Sequence, residues 1–522
     1  MALHREVGPT SIKCLPVESP FSSFKFVERR FSGRASVRRL FSLARSFGMQ
    51  TLVVERIPAR GIIRDENDEI RTYVSDYRMR SLVRLSFWKT KFDRPKGLKS
   101  CQSRHLIGYA ILKHDIAPSR SVDEWHVFES VFRKYPHKHN CVPNPSNHVL
   151  AVGECDFSIP GVLYCQQNGL NKTCAHVALR SLLSRRPGTE DISYKKINEL
   201  AASVSKGSSF DPSAGLTVQQ ISAVLRGFGV LFFAIDYRED PGAREDLPYQ
   251  KFLYAGVESG AGALLGFHLS GPSVAGNDEG HIIPFYGHTF NKDTWAPDAD
   301  VSYFNVGRDF GYFPSGSWTS SFLGHDDNFG PNFCVPRLYI KSEQADYVVE
   351  LLNEGVTYSG AYAEVVSLRF LYSLLPKFQN SSNEWLKRLA EWAHPDRQQV
   401  VLRALSLPKE RFVTHLEANQ DWKGNQENPV VTDLLRKFLP TNLWVVEISL
   451  PHLFPANERK LGDIVLDASV PVNPKNLVDF RKFVVARVPG KYAFVSSVVR
   501  GKPRFLNIPS RIVSHMPVMK CG

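Results

Sequence analysis

The chain has 522 residues, 43% apolar and 22% charged. That is enough apolar material for ordinary globular cores, and the composition argues against long disorder. No apolar run approaches the ~18–20 residues that span a bilayer. The net charge is +13, of which seven Arg and two Lys against three Glu place +6 in residues 1–48.

This first stretch is Arg- and Ser-rich with Phe interleaved. It is predicted to be a basic flexible tail, dispensable for folding, with Met49 as an alternative start. A transit-like or membrane-touching helix and a nucleic-acid arm are the other readings. Residues 49–150 read as a β-rich N-terminal domain, from "TLVVERI" and "SLVRLSFW", with a helix at "HVFESVFRKY". A second domain spans 151–341. It opens with helices at 174–184, "SYKKINELAASV" and "TVQQISAVLRGFG". Strands follow at "VLFFAID", "ALLGFHLSG", "HIIPFYG" and "RLYI". Helices first and an antiparallel sheet after is an α+β order. Residues 342–440 read as a helical region, including "QADYVVELLNEG", "NEWLKRLAEWA" and "VVTDLLRKFL". Residues 441–522 read as a small β domain whose last strands meet at a Pro-Gly turn.

Eight cysteines, at 14, 101, 141, 155, 165, 174, 334 and 521, show no regular framework. They are predicted to be free thiols, and the protein cytoplasmic and bacterial.

Cys174 stands where a loop becomes a helix. Apolar residues follow at Ala175, Ala178, Leu179, Leu182 and Leu183, a one-faced helical stripe. Thr173 is the predicted N-cap, and Arg185, Arg186 and Pro187 mark the stop. A first-turn cysteine meets the positive helix end, which favours the thiolate, and the thiolate attacks carbonyls. The plainer alternative is a packing residue, since free cysteines are commonly buried. A Gly- and acid-rich loop ends at Gly280, and His281 opens an apolar strand, a suitable place for a general base.

Helix-start Cys, then helices, then an "LLGF" strand, then Gly-His and Gly287 six residues on, resembles the papain-like cysteine peptidase superfamily over about 151–341. The resemblance implies Cys174 as nucleophile, His281 as base and a Gln before the Cys as oxyanion donor. "YCQQNGLNKTC" offers Gln166 and Gln167; many relatives would place the Gln where Asn168 stands. Gln167 is favoured. For the third catalytic residue, "NKDTW" is similar to a papain-type Asn-Ser-Trp ending and nominates Asp293. An insertion at 289–316 would instead make "SWTSSFLGHDDNFGP" the return strand. That ending resembles bacteriocin-processing peptidases and nominates Asp326, the preferred residue, with Asp327 beside it.

"HKHNC" (His137, His139, Cys141), with His148, Cys155 and Cys165, has zinc-ligand types but no metal-site spacing, so a polar loop is expected. His176, two residues past Cys174, should point away from the thiol; His268 is expected to be structural, and His288 could line the cleft. No cofactor or metal is expected. The function expected is a cysteine hydrolase of peptidase or amidase type, acting on a protein or peptide through Cys174, His281, Asp326 and Gln167. The alternatives are a papain-fold acyltransferase and a non-enzymatic nucleic-acid-binding protein with a degenerate peptidase fold. For the last, the basic tail or the C-terminal domain would meet nucleic acid.

Overall fold

The computed structural model describes residues 11–17, 30–31, 34–134, 140–170, 173–189, 192–204, 215–268, 280–290, 311–394, 396–455, 457–472, 480–499 and 502–520. Its architecture is α+β, built on three seven-stranded sheets. Among the described residues no helix is long and apolar enough to cross a membrane.

The N-terminal sheet is antiparallel. Its spatial order is Ser11–Pro16, Thr51–Arg56, Arg78–Trp88, Leu106–Ala117, Val122–Phe132, Cys155–Tyr164 and Ser146–Val152. Both faces are buried, so its strands carry apolar residues at successive positions rather than alternating with polar ones. Leu52, Val54, Leu85, Phe87 and Val127 pack under the helix Ala35–Ser46. Val53, Leu82, Ile111, Phe128 and Val131 point the other way.

This sheet corrects three expectations. The described parts of residues 1–48 are not a free tail. Ser11–Pro16 pairs with Thr51–Arg56, and Val37, Leu40, Phe41 and Ala44 are fully buried. The Arg and Ser residues that suggested a tail interrupt one amphipathic stripe. The predicted helix at "HVFESVFRKY" is part of the strand Val122–Phe132. Its apolar residues face both cores, and an irregularity in pairing at Ile111/Leu112 breaks the period of two. The layer also runs past residue 150, to Tyr164.

The central sheet is ordered Gly330–Pro336, Thr319–Asp326, Gly280–Phe290, Ala263–His268, Ala345–Leu351 and Phe232–Asp236. Asn140–Cys141 pairs onto Gly280–Phe290 as well. The segment Ala345–Leu351, expected to be helical, is thus an inner strand. Val348 and Val349 face opposite cores, an apolar run that fits a strand buried on both sides. "RLYI" forms no strand.

Helix Cys174–Leu183 lies between the N-terminal and central sheets, and one apolar cluster joins all three layers. Helix Tyr249–Glu258 covers the central sheet's opposite face. Because the Cys174 helix is enclosed on several sides, even its Arg180 is buried, where it pairs with Glu129 at 2.6 Å.

The C-terminal sheet is ordered Phe313–Pro314, Val401–Pro408, Asn442–Ser449, Gly462–Asp467, Phe483–Val488, Lys491–Val499 and Lys502–Pro509. Helix Gly360–Gln379 covers one face; Lys409–Ala418 and Pro429–Phe438 cover the other. The stretch 342–440 is therefore no separate helical unit, since its strands belong to two sheets and its helices coat one of them. The sheets are tied by a buried ionic chain. Arg403 donates to Glu258 at 2.7 Å and to Glu447 at 2.9 Å, and Lys460 reaches Glu447 at 2.8 Å.

Among the described residues six cysteines are free thiols, but Cys141 is disulfide-bonded. The expectation of free thiols throughout is corrected there.

Candidate active site

Cys174 is the first residue of its helix, and the predicted stripe is buried throughout: Ala175, Ala178, Leu179, Leu182 and Leu183 are at most 2% exposed. Thr173 occupies the cap position without making a side-chain cap. The first-turn N–H groups are therefore not covered by its hydroxyl, which leaves the positive helix end to act on the half-buried thiol.

The far end of the same helix meets Gly262, where Leu182 closes on the backbone. Gly262 precedes Ala263–His268, whose last residues pair with the start of Gly280–Phe290: Phe267 with His281 and His268 with Gly280. Cys174 thus lies toward the end of the sheet where His281 emerges. Its neighbour is Tyr347, whose hydroxyl is pushed up by burial first and by Cys174 second. Gly266 makes room for the Tyr347 ring, since any Cβ there would collide with it. Strand alternation turns Ile282 toward the Cys174 helix and sets His281 against Phe267, ring centroids 5.5 Å apart. Gly287 has a packing reason: its Cβ position would fall 2.7 Å from the Cys141 carbonyl oxygen.

The return strand is Thr319–Asp326, antiparallel to Gly280–Phe290. It brings Asp326 Oδ2 to 3.4 Å and Asp327 Oδ1 to 3.5 Å from His281 Nε2. These are ion-pair separations, long for hydrogen bonds. Asp326 Oδ1 accepts the backbone N–H groups of Asn328 at 2.9 Å and Phe329 at 3.1 Å, which fixes the turn and aims Oδ2 at the imidazole. Asp293 lies outside the described residues, as do His137 and His139.

Burial is the largest influence on His281 and pulls its pKa down, but Asp326 and Asp327 outweigh it, and the ring is held above its ordinary value. Burial acts upward on Asp326, yet His281 and the two backbone donors leave it below the usual carboxylate range. Asp327 goes the other way. Burial, helped by the charge of Asp326 and opposed by His281, raises it to about 6. The two carboxylates thus differ as acid and base.

The loop before Cys174 separates the three amide candidates. Gln166 is buried, its Oε1 accepting from Ser36 Oγ at 2.8 Å and the Val127 N–H at 2.9 Å. Asn168 is 1% exposed and donates to Glu66 at 3.0 Å. Gln167 alone turns toward the carboxylates' turn, donating to Asn328 Oδ1 at 3.3 Å. Sequence reasoning missed Ser36 and Asn328, since neither carries a motif, and it placed Ser36 in a tail.

The other histidines are accounted for by packing. His176 is fully buried against Asn198 at 2.7 Å, and burial lowers it to about 4. His268 meets Asp346 at 3.0 Å. His288 is inside the sheet junction, bound to Glu258 at 2.5 Å rather than lining a cleft. Cys141 lies near Glu258 and His288, but its disulfide removes the thiolate that a metal would need. The structure therefore joins His281 to Asp326 and Asp327 and joins Gln167 to the same turn, but it does not bring Cys174 to His281: Cys174 lies beside Tyr347 on the face that Ile282 lines, whereas His281 shares the opposite face with Phe267. No protein-family model matches the chain, and no curated protein or solved structure is similar to it.

Proposed function

We propose that the protein is a cysteine hydrolase of peptidase or amidase type, with Cys174 as nucleophile, His281 as base, Asp326 as the residue that orients the imidazole, and Gln167 as oxyanion donor. The observation that carries the reading is the contact of His281 Nε2 with Asp326 at 3.4 Å, on a strand packed against the helix that begins at Cys174. With Nε2 facing the carboxylates, Nδ1 is the nitrogen that takes the thiol proton. The sulfur then forms a bond to the carbonyl carbon, and the C=O electron pair moves onto oxygen. Collapse breaks the C–N bond, and the imidazolium returns its proton to the leaving amine. Water, deprotonated by the same ring, cleaves the thioester to a carboxylic acid and restores the thiol. Because His281 and Ile282 point to opposite faces of their strand, this reading requires the imidazole to turn around the start of that strand to reach the helix end when a substrate is bound. Catalytic contacts commonly tighten only in the substrate complex. An amine in place of water would give acyl transfer from the same intermediate.

The test is labelling with an electrophilic peptidyl ketone, alongside hydrolysis of a panel of peptide amides and thioesters. Expected are one label per chain, at Cys174, and its loss in His281→Ala. Turnover that persists in Cys174→Ala would overturn the proposal.

A further inference from the structure

We infer that His281, Asp326 and Asp327 form a binding site for one divalent transition-metal ion of the zinc type. Nε2 of His281, one oxygen of Asp326 and one of Asp327 all lie within 4.8 Å of one another. The two separations from Nε2, 3.4 and 3.5 Å, are too long for good hydrogen bonds. They match the edge of a tetrahedron around zinc. Bonds of about 2.0–2.1 Å set ligand atoms roughly 3.4 Å apart.

A second observation points the same way. Asp327 is 4% exposed, and both of its oxygens, together with His281 Nε2, are buried without a hydrogen-bond partner. Buried polar atoms are ordinarily satisfied, and a buried carboxylate and an imidazole nitrogen that face each other without a hydrogen-bond partner, with Asp326 beside them, form the arrangement an ion completes. Charge agrees. Among the described residues no Lys or Arg pairs with either carboxylate. A neutral imidazole and two carboxylates present two negative charges, which a divalent cation cancels. One nitrogen and two oxygens suit zinc, or manganese as a weaker substitute. Calcium and magnesium prefer shells built of oxygen. Three protein ligands leave a fourth position for water, as in catalytic rather than structural zinc sites.

The site does not depend on Cys174 being a nucleophile; a metal on Nε2 would leave the ring's proton on Nδ1 and remove His281 as the base of the proposed thiol chemistry, so the two readings are alternatives with separate tests. Chelator-stripped full-length protein is titrated with zinc chloride by calorimetry, and with cobalt(II) followed by visible absorption. Expected is one equivalent bound per chain, with a tetrahedral cobalt spectrum that lacks a thiolate charge-transfer band. Binding should be retained by Cys174→Ala and weakened more than about 100-fold by His281→Ala and by Asp327→Asn, beyond what outer-shell changes cost. Asp327→Asn is nearly isosteric, and its melting temperature without metal shows that it remains folded. Uptake that survives both ligand substitutions, or a thiolate band that vanishes in Cys174→Ala, would overturn the proposal; so would no uptake at all.

Discussion

Ser36 Oγ donates a 2.8 Å hydrogen bond to Gln166 Oε1, so the helix Ala35–Ser46 holds the loop that leads into Cys174. Three residues on, Arg39 donates to the carbonyls of Pro331 at 3.3 Å and Asn332 at 2.7 Å, just past the turn of Asp326 and Asp327. One N-terminal helix thus grips both walls of the candidate site. Beginning the chain at Met49 should therefore not leave a stable protein, since it removes the fully buried Val37, Leu40, Phe41 and Ala44. As milder versions, Leu40→Ala and Phe41→Ala should each cost about 2–5 kcal/mol, read by urea unfolding. A truncated chain with an unchanged melting temperature would contradict this.

Thiol reactivity should rank the cysteines by environment. Burial raises Cys165 to about 12 and, with nearby acids, Cys14 to about 11, so both should be silent toward iodoacetamide near neutral pH. Cys334 is exposed, but its thiol is raised on balance, by partial burial against the pull of Arg39. Cys174, at a helix start, should react fastest at about pH 6–7. Mass-spectrometric mapping of labelling rates decides, and faster labelling at Cys334 would count against the nucleophile.

Substitutions around the imidazole should differ in severity. His281→Ala should remove turnover by several orders of magnitude, as loss of an essential catalytic group does. Asp326→Asn preserves shape and should cost less, about 10–1000-fold, short of the ~10⁴ known for the serine-triad equivalent. Gln167→Ala should lower kcat with little change in KM, whereas Gln166→Ala should lower the melting temperature.

The two ends of the His281–Asp327 contact should both lose stabilisation as pH rises, in different windows. Asp327 is raised from 3.8 to about 6, so the folded chain binds its proton more tightly than the unfolded one. Its contribution is greatest below about pH 4 and is lost as pH rises through about 6. Asp327→Asn should therefore raise the melting temperature at about pH 8 and change it little near pH 4. His281 is also raised, so its stabilisation is full below about 6.5 and fades as pH climbs through its folded value. His281→Ala should be most costly near pH 6. Thermal melts of both variants across pH separate the effects.

Arg403 should be among the least tolerant positions. It is 3% exposed and bridges Glu258 and Glu447. Arg403→Ala leaves Glu258 without its guanidinium and Glu447 with Lys460 alone, and should cost about 3–5 kcal/mol. Chemical denaturation is the measurement, with Arg403→Met as a comparison of similar length.

What the sequence made legible follows from how each element is buried. The Cys174 helix, the strand opened by His281 and the return strand Thr319–Asp326 each carried a local signal: a stripe, a loop-to-strand change or a turn. The N-terminal helix was misread because its buried stripe is set among Arg and Ser. The inner strand Ala345–Leu351 was misread because a strand covered on both sides has no alternation and resembles a helix face. Ser36–Gln166 and Arg39–Asn332 could not be read at all. They join residues 130 and 293 positions apart, and neither pair has a signature of its own.

The order of strands in the central sheet bears on how the chain is made. Ala345–Leu351 is the last of them to be synthesised, yet it lies between Ala263–His268 and Phe232–Asp236. On the ribosome, Phe232–Asp236 must wait for residue 351 to leave the exit tunnel before it has a neighbour in that sheet. Phe313–Pro314 waits in the same way for Val401–Pro408. The N-terminal sheet, complete at residue 164, emerges well before either. A fragment cut at 151–341 would lack that inner strand and the N-terminal clamp, so a piece able to assemble the site must reach at least from the helix Ala35–Ser46 to Leu351.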